Sequence, residues 1–174
     1  MAVYAALLRA VNVGGTGKLP MADLRALCER AGFEQVATYI QSGNVVFRTS
    51  LTAAKAKSVL EGALAKRMGK AVGVHLRSPK QLRQVLDANP FPKAPTARVM
   101  ACFVEQQPTA AALAAIVIPG REVIAAGPGV VFVHYPEGQG TSKLKLPFAA
   151  TGTARNLNTV SKLAELAAAI PSRG

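Results

Sequence analysis

Apolar positions recur along the chain with two periods, and the period decides which element each stretch predicts. Val3 to Arg9 is a β-rich run that ends at a glycine-rich loop. Met21, Leu24, Leu27, Cys28 and Ala31 fall at helical spacing, which predicts a helix over Pro20 to Ala31 with Gly32 as its stop. Val36 to Ile40 and Val45 to Thr49 read as strands, and Gln41-Ser42-Gly43-Asn44 between them is a hairpin turn signal. Ala53 to Met68 predicts a second helix closed by Gly69, and Val72 to Arg77 a strand in which Val74 and Leu76 alternate with His75 and Arg77. The order β-α-β-β-α-β is the ferredoxin-like split unit.

Beyond it the pattern partly recurs. Ser78-Pro79 starts a short helix through Leu86, and the prolines of residues 89–95 then forbid regular structure. Strand Arg98 to Glu105, helix Thr109 to Val117, and strands Glu122 to Ala126 and Val130 to Tyr135 follow, with a Pro128-Gly129 hairpin. Helices complete the chain, and no closing strand is read. The expected fold is therefore α+β: a ferredoxin-like unit over residues 1–88, a proline-rich connector over 89–95, and a partial second α/β-plait repeat over 96–174 with C-terminal helices.

Composition narrows the class. Half of the 174 residues are apolar, enough for a chain of this length to bury about 70% of its unfolded surface. No apolar run reaches the length of a membrane span, and residues 2–8 are too few for a signal-peptide core. The expectation is a soluble cytoplasmic protein without membrane partners. The net charge of +12 favours polyanions, but the lysines and arginines are scattered with no run of three. Cys28 and Cys102 form neither a disulfide framework nor a zinc set and read as buried thiols. His75 and His134 both sit inside strand patterns, and Asp23, Glu29 and Glu34 form no acid–base constellation. No metal and no cofactor is expected.

The concentrated chemistry lies in glycine- and amide-rich turns. Gly14-Gly15-Thr16-Gly17-Lys18 invites comparison with G-x-x-x-x-G-K-[ST], but Asn12 stands where that motif needs glycine and Leu19 where it needs Ser or Thr. A P-loop NTPase is excluded. A looser anion nest of backbone amides with Arg9 and Lys18 is not. In the split unit the first and second strands run the same way, so residues 10–18 should converge with 41–44, and the Gly69-Lys70 turn should share that end. Arg9, Lys18, Lys143 and Arg155 would supply charge, Asn12, Gln41, Ser42, Asn44, Ser142 and Asn156 would orient a ligand, and Gly14 and Gly15 would let the backbone approach it. The bland reading of each turn is local structure: a tight turn at the glycines, a helix cap at Ser142, and another at Thr153.

At these residues the chain resembles a family. Leu8 to Gly15, Leu19-Pro20-Met21, Tyr39 to Phe47, Gly140 to Leu144 and Thr153-Ala154-Arg155-Asn156 are similar, in the same order, to the bacterial domain-of-unknown-function family 1697. The resemblance implies an α+β protein with ferredoxin-like repeats and implies no reaction. The chain departs from the family pattern at Leu157, where tryptophan often follows Arg-Asn.

The expectation is a non-catalytic binder of a phosphate-bearing ligand, either a nucleotide or an RNA backbone. RNA binders of this fold stack bases on strand aromatics, whereas the third strand offers Phe47 alone. That favours backbone contact over base stacking. The alternatives are an enzyme on a small anionic substrate, with Lys18 or Lys143 as acid or base, and a structural or regulatory interaction module.

Overall fold

The computed structural model describes residues 1–12, 18–40 and 42–172. By internal contacts it divides into two compact units: Met1–Lys80 with Leu163–Gly174, and Gln81–Lys162. The stretch 89–95 thus lies inside the second unit.

The first unit runs β1 (Ala2–Leu8), α1 (Met21–Arg30), β2 (Glu34–Tyr39), β3 (Asn44–Thr49), α2 (Ala53–Met68) and β4 (Val74–Arg77). Its four strands form one antiparallel sheet in the order β2-β3-β1-β4. Both β1 and β2 are antiparallel to β3, so they run the same way and end at the same edge. The two helices cover one face. Leu24, Leu27 and Cys28 of α1 and Ala56, Leu60 and Leu64 of α2 are buried with Ala6, Leu8, Val45, Phe47 and Val74 of the sheet. Phe33 stacks on Phe47 at a centroid distance of 4.2 Å, anchoring the α1–β2 connection. Helix ends follow local chemistry: the Thr52 hydroxyl accepts from Lys55 N–H at the start of α2, and Gly69 ends it at φ +71°.

α3 (Pro79–Asp87) follows, and then β5 (Val99–Phe103), α4 (Ala110–Ala114), β6 (Val123–Gly127) and β7 (Val130–His134). The chain ends on β8 (Thr153–Asn156) and α5 (Leu157–Ala168). The second sheet is also four-stranded and antiparallel, in the order β6-β7-β5-β8.

Here the structure corrects the sequence reading twice. A closing strand exists: β8 pairs with β5 from Met100↔Asn156 to Phe103↔Thr153. Thr153 is therefore a strand residue and not a cap. The cap of α5 is Asn156, whose Oδ1 accepts from Thr159 N–H at 2.9 Å. Nor does Ser142 cap an α-helix. It follows a 3₁₀ turn, Gln139–Thr141, and a second such turn, Pro147–Ala150, lies ahead of β8.

Candidate functional site

The edge of the first sheet where β1 and β2 end carries most of the sequence-nominated residues. Beyond Leu8 the chain is pinned on both sides: Leu8 N–H donates to Gly43 O at 2.8 Å and Arg9 N–H to Gly73 O at 2.9 Å. The chain leaving β1 therefore meets the β2–β3 hairpin at Gly43 and the α2–β4 turn at Gly73.

Asn12 and Asn44 organise this edge. Asn12 Nδ2 donates to Leu19 O at 2.8 Å, and Leu19 N–H donates back to Asn12 Oδ1 at 2.7 Å. One carboxamide thus imitates a backbone pair and ties Asn12 to Leu19, the neighbour of Lys18. Asn44 is fully buried at the first position of β3, and its Nδ2 donates to Tyr39 O and to Ser42 Oγ, both at 3.0 Å. These two side chains, expected to orient a ligand, hold the backbone that would present one.

Among the described residues, three at this edge other than glycine adopt the left-handed region: Ala10 at φ 53°, Asn12 at 55° and Ile40 at 49°. Asparagine tolerates that geometry, whereas the β-branched Ile40 is strained by it. Such strain concentrates at functional edges held by their surroundings. Gly43 is also left-handed, at φ +85°, and a Cβ there would lie 2.4 Å from Val11 Cγ2. No sequence signal singled out Val11 or Ile40.

Arg9 is half-buried and Lys18 exposed, and Lys70 follows the Gly69 cap on the exposed α2–β4 turn. The acid of the first turn of α1, Asp23, is committed to Arg67 at 3.0 Å. Gly14, Gly15 and Gln41 lie outside the described residues. The other carboxylates of the sequence reading also hold ion pairs, Glu29 with Arg25 at 2.9 Å and Glu34 with Arg48 at 2.6 Å.

The remaining nominated residues belong to the second unit. Arg155 is buried on β8, where its Nη1 donates to Thr153 Oγ1 at 2.6 Å and to Ala154 O at 3.0 Å. Burial pulls its guanidinium down to about 10, which leaves it charged at neutral pH. Asn156 is the α5 cap described above. Ser142 and Lys143 line a cleft of about 160 Å³ with Glu122, Tyr135, Arg121 and Gly138. Ser142 Oγ donates to Glu122 Oε1 at 2.6 Å and accepts from Leu144 N–H at 3.1 Å. That hydroxyl, then the backbone N–H groups of Glu122 and Gly120, hold the Glu122 carboxyl below its ordinary range. Burial, then negative neighbours, pushes the Tyr135 phenol up. With Arg121 and Lys143 as well as Glu122 and Glu137 in its lining, the cleft is mixed in charge. Glu122 and Ser142 lie twenty residues apart, so sequence spacing held no signal for the pair.

Both cysteines are buried and free. Burial raises Cys28 to about 12, with Glu29 adding to it, and raises Cys102 to about 11, so both are thiols at neutral pH. No group of three or more metal-binding side chains occurs among the described residues. No helix among them is long and apolar enough to cross a membrane.

The chain is similar to known proteins in sequence and in structure. The family model described as "Protein of unknown function (DUF1697)" matches residues 1–132. A solved structure of a conserved bacterial protein from Streptococcus pneumoniae is similar over 95% of this chain and 98% of that one, at 27% identity and a TM-score of 0.77. No curated protein matches the chain.

Proposed function

We propose a function from the premise that this chain belongs to DUF1697, a family described as proteins of unknown function. The protein is a non-catalytic binder of a phosphate-bearing ligand, a nucleotide or an RNA backbone, taken at the edge of the first sheet where β1 and β2 end. The observation that carries this is the Asn12 clamp: it ties Asn12 to Leu19, next to Lys18 and just ahead of α1. Lys18 is the immediate neighbour of the clamped Leu19, so the backbone that carries this cation is fixed next to it before binding. The start of α1 adds a favourable field for an anion, since its cap residue Pro20 makes no side-chain hydrogen bond to the first turn. The ion pair of Asp23 with Arg67 removes the nearby carboxylate as a competitor. The matching strand orders of the two sheets support reading each as a ferredoxin-like split unit.

The test is binding of ATP and of a uridine oligoribonucleotide at about 50 and 200 mM salt, in the wild-type protein and in Lys18→Ala. Lys18 is exposed, so its loss leaves the fold intact. The variant should bind more weakly, and for RNA with a salt slope reduced by about 1. Equal affinity in both proteins rejects the site. Arg155→Ala is a poorer probe because Arg155 is buried.

A structural reading has its own support. Asn12 and Asn44 both spend their carboxamides on backbone, as turns that only shape the fold would. The ultraviolet spectrum separates the two readings. The chain has three Tyr and no Trp, so a retained base would dominate near 260 nm. Absorbance that survives a wash in about 1 M salt, where screening shortens to about 3 Å, would mark a bound nucleotide.

A further inference from the structure

The two sheets share a strand order but not a cover. Over one face of the first, sixteen-residue α2 lies beside α1. In the second unit the corresponding stretch between β7 and β8 holds two 3₁₀ turns, and α4 has five residues. The face there is covered by Leu113 of α4 and Phe148 of the second turn, packed on Cys102, Val104 and Val131. Between α4 and the stretch 143–147 an open apolar groove of about 390 Å³ remains, lined by Ala112, Ala115, Ile116, Lys143, Lys145 and Pro147. Val117, 81% exposed, also lines it, and its chain neighbour Ile118 is 39% exposed. Contiguous apolar exposure of this kind marks an interaction surface.

We propose that this groove docks an acidic amphipathic helix of a partner protein, which supplies the cover that α2 supplies in the first unit. An amphipathic helix laid in a groove buries apolar anchors on one side and keeps its polar side at the rim. Charge selects the occupant. Lys143 and Lys145 are exposed at the rim, and neither holds an ion pair among the described residues. They alternate with half-buried Leu144 and Leu146, so both project from one side of the stretch. Two residues apart on extended chain they stand about 7 Å from each other, close to the about 5–6 Å between acidic residues one helical turn apart. The net charge of +12 opposes a second copy of this chain and attracts an acidic segment.

The test uses the full-length protein with four probes: a helical peptide with a leucine face and a glutamate face, its lysine-for-glutamate counterpart, decanoate, and phosphatidylglycerol vesicles. Amide shifts of Ala112, Ala115 and Ile116 report occupancy. The glutamate peptide should move all three. Lys143→Glu with Lys145→Glu should weaken it on the order of tenfold, and Ala115→Arg should block it. Absence of shifts, equal binding of the lysine peptide, or decanoate or vesicles moving these amides while the peptide does not, would overturn the proposal. None of these residues lies at the edge assigned to phosphate, so failure here leaves that assignment standing.

Discussion

Asn12 and Leu19 are joined by two hydrogen bonds, one in each direction, between a side-chain carboxamide and the backbone N–H and C=O of one residue. The pairing spans seven residues and ends at a fully buried leucine. Asn12→Ala should therefore destabilise the protein by about 1–3 kcal/mol, since it leaves both polar groups of Leu19 without their partner. Asn12→Asp keeps the acceptor and loses the donor, so it should fall between the two. Urea unfolding of the three proteins checks the order. If the edge binds phosphate as proposed, Asn12→Ala should also weaken ATP even under conditions where the variant stays folded.

Gly43 lies against Val11 and Leu8 at the same edge, with no room for a side chain. Gly43→Ala places a methyl 2.4 Å from Val11 Cγ2 and 3.0 Å from Leu8 Cβ. Overpacking should cost about 1–3 kcal/mol, and the left-handed backbone a further 1–2 kcal/mol or so. Adding Val11→Ala removes the first clash and leaves the second term. The double variant should then be less destabilised than the sum of the singles, by a coupling that a double-mutant cycle measures. Strict additivity would mean that the backbone alone sets the requirement for glycine.

Ile40 offers the opposite sign. It is 46% exposed and holds φ 49°, a conformation that β-branched residues rarely adopt. Ile40→Gly removes the Cβ penalty and little packing, so thermal unfolding should report a gain of about 1 kcal/mol. A loss would show that the isoleucine side chain contributes more by its contacts than its backbone costs.

The first unit was legible in the sequence because each element carries a clear period and an explicit stop. Leu24, Leu27 and Cys28 mark a helix, Gly32 and Gly69 end the two helices, and Gly43 turns the hairpin. β8 was not legible. It has four residues, and the two buried ones are Thr153 and Arg155, so no apolar alternation announces it. The asparagine that follows caps α5 directly, which drew the whole stretch into the helix reading. Strand order indicated that β1 and β2 end at one edge, where Leu8 meets Gly43, yet the roles of Asn12 and Asn44 were invisible. Amides that bind a ligand and amides that bind backbone are the same residues in a sequence, and only their partners distinguish them.

Ser142 and Glu122 provide a test that reads out in pH. The Ser142 hydroxyl donates to the ionised carboxylate at 2.6 Å and is the largest cause of its lowered pKa. A carboxyl whose pKa is lower folded than unfolded contributes stability above its unfolded value, and that contribution fades as pH falls through the folded one. Ser142→Ala should therefore move the Glu122 titration upward, toward the ordinary glutamate range, followed by carbon-13 chemical shifts. The loss of stability caused by the substitution should be fully present at neutral pH and shrink as acid protonates the wild-type carboxyl. Below that range the pair is a neutral hydrogen bond, and the difference left between the two proteins is its smaller net contribution. A stability difference that stays constant across the whole titration would mean that Ser142 acts through the 142–144 turn, where its Oγ accepts from Leu144 N–H, and not through the carboxylate.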